Sequence, residues 1–122
     1  MLRKVVLAEK FAQFTDCWSP RIAGDVGDFQ VKLAKLHGEF VWHHHEREDE
    51  LFLVIRGHLT MQLRDGDVEL DPGEFLIVPH GVEHRPVARE ECSVLLFEPA
   101  TTLNTGNVRN ERTREQLERL PS

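Results

Sequence analysis

Residues Trp42 to Gly57 read WHHHEREDELFLVIRG, and this stretch decides the fold. Three consecutive histidines, His43, His44 and His45, stand against an acidic run of Glu46, Glu48, Asp49 and Glu50. The chain then passes at once into a solid apolar run, Leu51 to Ile55. Imidazoles and carboxylates beside an apolar strand describe one half of a metal site inside a β-barrel. The other half must come from a distant strand, and His84, in PHGVEH, is the candidate.

Working outward, the pattern is one of short strands separated by Gly, Pro and Asp turns. Upstream, Phe29 to Leu36 alternates, with Phe29, Val31 and Leu33 on one face and Gln30 and Lys32 on the other. His37-Gly38 is a turn signal. Phe40 to His45 reads as the next strand, with Val41, His43 and His45 on one face and Phe40, Trp42 and His44 opposite. Downstream, Glu50 to Ile55 is apolar on both faces, so it is a strand buried on both sides. His58 to Arg64 alternates, pointing Leu59, Met61 and Leu63 inward. Asp65-Gly66 turns it into a short strand, Asp67 to Leu70. After Asp71-Pro72-Gly73 comes another apolar strand, Phe75 to Val78. His84 to Ala88 and Cys92 to Phe97 form a further pair across an acidic turn, Arg89-Glu90-Glu91. The N-terminal residues 1–14 carry too weak a pattern to separate strand from helix. Arg109 to Leu120 has Leu117 and Leu120 at helical spacing and predicts a short C-terminal helix. Many short strands at close spacing predict an antiparallel sandwich or barrel.

Bulk properties bound the function. A chain of 122 residues makes one domain, 1–122, large enough to bury a core without disulfides. The net charge of −6 and the lack of a basic run argue against nucleic acid as a partner. MLRKVVLAEKF starts with two positive charges like a leader, but its apolar stretch is only Val5 to Ala8. That is too short for an export signal or a membrane span, so a cytoplasmic protein is expected. Cys17 and Cys92 lie far apart without CxxC spacing and are expected to be reduced, small core residues.

The chemistry follows from strand parity. His43 and His45, two apart on a strand, project from the same face. Glu50 begins the next strand, where its carboxylate can swing back towards them, and an unpaired carboxylate beside a doubly buried strand would be costly. Glu48 or Asp49 takes its place if the turn shifts. His84 follows a Pro-x-Gly turn at the start of another strand. Three imidazoles and one carboxylate suit a divalent transition ion: manganese, iron, nickel, cobalt or zinc. Such a site leaves coordination positions for water or substrate, which is what lets an ion act as a Lewis acid. A charged turn is more often merely solvated, and a lone HxH would decide nothing. His44 faces away, His80 lies in an exposed turn, and His37 and His58 read as turn and surface residues.

The spacing His43-x-His45-x4-Glu50-x6-Gly57 resembles the first cupin motif, and Gly73-x5-Pro79-x-Gly81-x2-His84 resembles the second. The 15 residues between them, His58 to Pro72, are similar to the compact bacterial form. The resemblance implies an all-β cupin fold, a jelly-roll-like double-stranded β-barrel with its core over about 29–98 and a metal in its mouth. It implies His43, His45, Glu50 and His84 as the ligands. Two departures stand out. Four residues separate Gly38 from His43 where the family has five, and Ala88 stands where the second motif often ends in asparagine. Neither touches a ligand position.

Proteins of this family include dioxygenases, decarboxylases, isomerases, lyases and members without a known reaction, so the resemblance leaves the reaction open. The small bacterial forms are often grouped with mannose-6-phosphate isomerases. A sugar phosphate would want several inward Lys or Arg residues, whereas Phe52 and Val54 share the parity of Glu50 and predict an apolar pocket. The lack of tyrosine argues against lyases that use a tyrosine base. The expectation is a metal-dependent enzyme on a small organic substrate, of dioxygenase or isomerase and lyase type, with Glu50 as metal ligand and catalytic base. The alternative is a noncatalytic module that binds a metal or small ligand; a ligand-sensing domain of a regulator ranks third. Phe40 and Trp42, opposite the ligands, need cover from a second layer or a second subunit, and a homodimer is expected.

Overall fold

The structure is a computed structural model that describes residues 2–121. Seven strands follow one short helix, α1 (Leu7–Phe11): β1 (Arg21–Val26), β2 (Phe29–Glu39), β3 (Glu50–Arg56), β4 (Leu59–Leu63), β5 (Gly66–Leu70), β6 (Phe75–Val78) and β7 (His84–Pro99). All pairings between them are antiparallel. One layer runs in the order β1-β2-β7-β3-β6, and β4 pairs with β5 and with β7 to make the other. The two layers close over one apolar core, in which Val54, Leu59, Met61 and Val94 are fully buried. Each such side chain contributes about 1.5–3 kcal/mol by leaving water. The chain is therefore the all-β barrel that the strand pattern predicts, and no helix among the described residues is long and apolar enough to cross a membrane.

Two long strands hold the layers together, and both were read from the sequence as broken. His37-Gly38 does not turn; β2 runs through it, with a bulge between Leu36 and Gly38 that lets the strand's end pair with Val87 and Ala88. Likewise Arg89-Glu90-Glu91 does not make a hairpin. β7 is one strand of 16 residues, whose first part pairs with β4 and whose second part, Cys92 to Pro99, lies between β2 and β3. A strand that changes layers must bend at exposed polar residues, and in sequence such a bend looks like a turn. Gly57 marks the tight passage from β3 to β4. Its φ is 92°, and a Cβ there would stand 2.8 Å from the carbonyl oxygen of Glu91.

Three further expectations change. The C-terminal helix over Arg109 to Leu120 is absent; that segment is irregular and ends extended along β1, with hydrogen bonds from Ile22 N to Glu118 O and from Leu120 N to Ile22 O. β1 is an edge strand with free backbone groups, and two leucines are too narrow an apolar stripe to hold a helix against that offer. Phe40 to His45 is not a strand either: only His43 makes a ladder contact, an isolated bridge to His84. Finally, the face of β2 is inverted. Lys32, Ala34 and Leu36 point into the barrel, while Leu33 points outward and packs under Phe11 and Phe14 of the N-terminal segment. Both faces of β2 are covered, so alternation alone could not tell inside from outside.

Candidate metal centre

His43, His45, Glu50 and His84 come together: one ligand atom from each lies within 4.8 Å of the others, and all four residues are buried. Each arrives by a different device. Glu50 is the first residue of β3 and His84 the first of β7. His43 is tied to His84 by a reciprocal backbone pair, His43 N to His84 O at 3.1 Å and His84 N to His43 O at 2.9 Å. His45 is fixed through its carbonyl, which accepts a hydrogen bond from Gly81 N at 2.7 Å. The second-motif turn is thus bonded directly to the first-motif histidines.

The tautomers are set by the backbone. Nδ1 of His43 lies 2.9 Å from the carbonyl oxygen of Val41, and Nδ1 of His84 lies 2.9 Å from that of Val82. A carbonyl can only accept, so each Nδ1 carries the proton and, in the neutral ring, each Nε2 presents a lone pair to the centre. Such second contacts are how proteins orient imidazoles for an ion. Burial, and then repulsion from His84, lowers the pKa of His43 to about 4, so its ring is neutral at physiological pH. Burial pushes the Glu50 carboxyl up, but the His45 and His84 imidazoles outweigh it and hold the group well below its usual range.

The donor atoms also lack internal satisfaction. His45 Nε2 and His84 Nε2 approach Glu50 Oε1 at 2.8 and 3.2 Å, yet none of these three buried atoms has a hydrogen-bond partner. Buried polar atoms are almost always paired. Three orphans converging on one point, joined by His43 to make a group of three imidazoles and one carboxylate, are what a divalent transition ion requires. The four residues therefore form a group suited to such an ion.

The other histidines and acids stay outside. His44 turns away and meets Glu46 at 2.8 Å. Glu48 accepts from Thr101 Oγ1. Asp49 is not a substitute ligand; it accepts from the backbone N–H of His80 at 2.8 Å and clamps the second-motif turn. His58 sits on the surface between Glu69 and Asp71. Cys17 and Cys92 are free thiols, and burial pushes the Cys92 thiol up to about 11.

A narrow cavity of about 40 Å³ opens beside the centre, lined by His43 and Glu50 and walled by Phe52, Val94 and Leu96. The apolar pocket expected from the parity of Glu50 is thus present, but four features of it were missed. Phe40 is inside, stacked on Trp18 at 4.7 Å, because the segment before His43 is not a strand and does not alternate. Trp42 is covered by the guanidinium groups of Arg64 and Arg85, at 3.8 and 5.5 Å from its ring centre. A buried ion pair, Lys32 with Glu98, lines the cavity. And the C-terminal segment supplies Thr102, Asn104 and Leu117 to the lining. The sequence signal for the ion pair was Glu98 at the end of an apolar strand on the parity of Leu96, facing Lys32 on the parity of Ala34.

Comparison with known proteins agrees with this geometry. The family model described as "Cupin domain" matches residues 29–98, more than half of the chain. The uncharacterized protein YdbB of Bacillus subtilis (strain 168) is 37% identical over 78 residues, covering 63% of this chain and 63% of that protein. Acireductone dioxygenase of the same organism is 32% identical over 75 residues, covering 57% of this chain and 42% of that protein. The chain thus spans less than two thirds of the length of either curated relative. Among solved structures, that of a cupin-2 domain containing protein from Shewanella frigidimarina superposes with a TM-score of 0.77 at 44% identity, covering 78% of this chain and 93% of that one.

Proposed function

We propose, from the premise that this chain belongs to the cupin family, that it is a metal-dependent enzyme acting on a small organic substrate, of dioxygenase or isomerase and lyase type. The observation that carries the proposal is the set of buried, unpartnered polar atoms on His45, Glu50 and His84, in a group whose His43 and Glu50 line an apolar cavity. The similarity to acireductone dioxygenase supports the oxygen-dependent form of it. In this reading His43, His45, Glu50 and His84 are the ligands. A bound divalent ion supplies Lewis acidity and, if it is iron, the redox chemistry that dioxygen needs. The chain's own residues do the rest. Val41 and Val82 carbonyls keep the His43 and His84 rings turned inward. The Trp18, Phe40 and Phe52 side chains exclude water around the reacting atoms. Glu50 is both ligand and the carboxylate that takes a proton from substrate in an isomerase or lyase cycle.

The test is elemental analysis of protein purified without added metal, followed by turnover assays on a substrate panel. Stoichiometric metal is expected, and iron would favour the oxygenase form. Glu50→Gln or His45→Ala should abolish turnover and metal retention while leaving the barrel folded. No metal as purified and none taken up on titration would overturn the proposal. A noncatalytic metal or small-ligand module is the second reading; the narrowness of the cavity favours it, and its mark is tight metal binding with no turnover or oxygen consumption across the panel. The substrate is in either case a small molecule, the protein acts in the cytoplasm, and it works as a homodimer.

A further inference from the structure

The polar wall of the cavity is a part of the pocket that the metal site does not explain. Lys32 of β2 and Glu98 of β7 are 1% and 2% exposed, and Lys32 Nζ meets Glu98 Oε2 at 2.6 Å. Both project from the inner face of the sheet into the same cavity as His43 and Glu50. Stability gives no reason for the pair: replacing a buried ion pair by apolar residues of similar volume is often neutral or stabilising. Nor is the pair complete. Glu98 Oε1 is buried and has no hydrogen-bond partner among the described residues.

We propose that Glu98, held by Lys32, is the substrate-recognition group of this pocket, and that it takes a small hydroxyl-bearing molecule whose body is otherwise apolar. The unpartnered Oε1 needs a partner, and a hydroxyl, which both donates and accepts, satisfies a carboxyl group in either protonation form. The rest of the wall favours an apolar body: Phe52, Leu96 and the stacked Trp18 and Phe40 rings line the same cavity, and its other polar side chains, Thr102 and Asn104, are already bonded to backbone. Phosphates and dicarboxylates are disfavoured, because Lys32 is the one Lys or Arg in the lining and two carboxyl groups, Glu50 and Glu98, stand in the same wall. Glu98 is a direct neighbour of Glu50, so a hydroxyl seated on Glu98 sets the near end of the molecule against the centre and leaves its body along the apolar wall. The inference deepens the metal-enzyme reading and rests on it only for what happens at that near end.

The experiment uses metal-free full chain and three probes titrated by methyl-observed NMR: phenol, toluene and benzoate. Phenol should bind at least fivefold more tightly than toluene, which lacks only the hydroxyl, and benzoate should bind worst. The double variant Lys32→Met with Glu98→Leu removes both charges together, so no lone ion is left buried, and it should bring the phenol-to-toluene ratio to one or below. Zinc uptake, measured separately, should be equal in the two proteins. An unchanged ratio in the variant, no phenol preference in the wild type, or loss of zinc uptake in the variant each overturns the proposal. If neither protein takes up zinc while the phenol preference holds and vanishes in the variant, the metal reading fails and the recognition group stands. Should the variant not fold, nuclear Overhauser contacts from the phenol ring to the Leu96 and Val94 methyls of the wild type decide: their presence supports the assignment, and contacts to surface methyls alone overturn it.

Discussion

His43 carries two roles in one side chain, since the carbonyl that fixes its Nδ1 proton also commits its Nε2 lone pair to the centre. Its lowered pKa, about 4 against an ordinary 6.5, has a measurable consequence. Between those two values the unfolded chain binds a proton at this position and the folded chain does not. Stability of the metal-free protein therefore falls as pH drops from 6.5 towards 4, by up to roughly 3 kcal/mol from this group alone. Urea unfolding at a series of pH values should show that component in the wild type and not in His43→Gln. An NMR titration should place the His43 midpoint near 4, while His58, held up by Asp71 and Glu69, titrates above 6.5. The grouping of His43, His45, Glu50 and His84 was legible because motif spacing can be read directly along a sequence. The state of His43 was not, because it depends on burial and on the proximity of His84, 41 positions away. Lys32 and Glu98 were missed for a related reason. Their polarity argued for solvent, and only the closed barrel shows that each is the other's counter-ion.

Among the elements, the segment after β7 does more for the site than its composition suggested. Within it Thr105 is fully buried and bonds Thr113. The backbone of His44 is bracketed by Asn107: His44 N donates to Asn107 Oδ1 at 2.9 Å, and Asn107 N donates to His44 O at 3.0 Å. Gly106 lets the two backbones meet. Its φ is 57°, and a Cβ there would stand 2.2 Å from His44 O and 3.1 Å from His43 Cδ2. Because no strand ladder holds residues 40–49, this segment stands in for one and keeps His43 and His45 aimed. Gly106→Ala is expected to cost about 1–3 kcal/mol in denaturant unfolding, through backbone strain and the clash. It should also weaken metal affinity by 10–100-fold in a chelator competition, the usual effect of disturbing what orients a ligand. A variant that loses stability but keeps full affinity would mean that the segment does not position the histidines. Alternation could read β4, whose inward Leu59 and Met61 are plain, but it could not read a segment without period, nor tell the inside of β2, whose two faces are both covered.

At the scale of the whole molecule, the apolar surface that needs cover is not where Phe40 and Trp42 suggested, since both are covered within the subunit. It is the outer face of the larger layer. The register lines up Val31, Phe97, Leu51 and Ile77 across four strands, with Leu33, Leu95, Leu53 and Phe75 in the row beside them. α1 and Phe14 cover the Leu33 end of these rows, but the β6 end is open: Phe75 is 59% and Ile77 53% exposed. Phe29, stacked on Phe97 at 5.2 Å, extends the patch, and Val26 is exposed beside it. Contiguous exposed apolar surface of this kind is where an interface is expected, and β6 is also the free edge of its layer. A two-fold dimer pairs the same patch with itself and places both cavities on the far side, so assembly and substrate access do not compete. Light scattering at micromolar concentration should therefore give the mass of two chains. Phe75→Glu combined with Ile77→Glu should give that of one, with little change in the unfolding midpoint of the monomer, because both side chains are already exposed in the subunit. A wild-type protein of single-chain mass would overturn the dimer, whereas a dimer untouched by the double substitution would move the interface to another face.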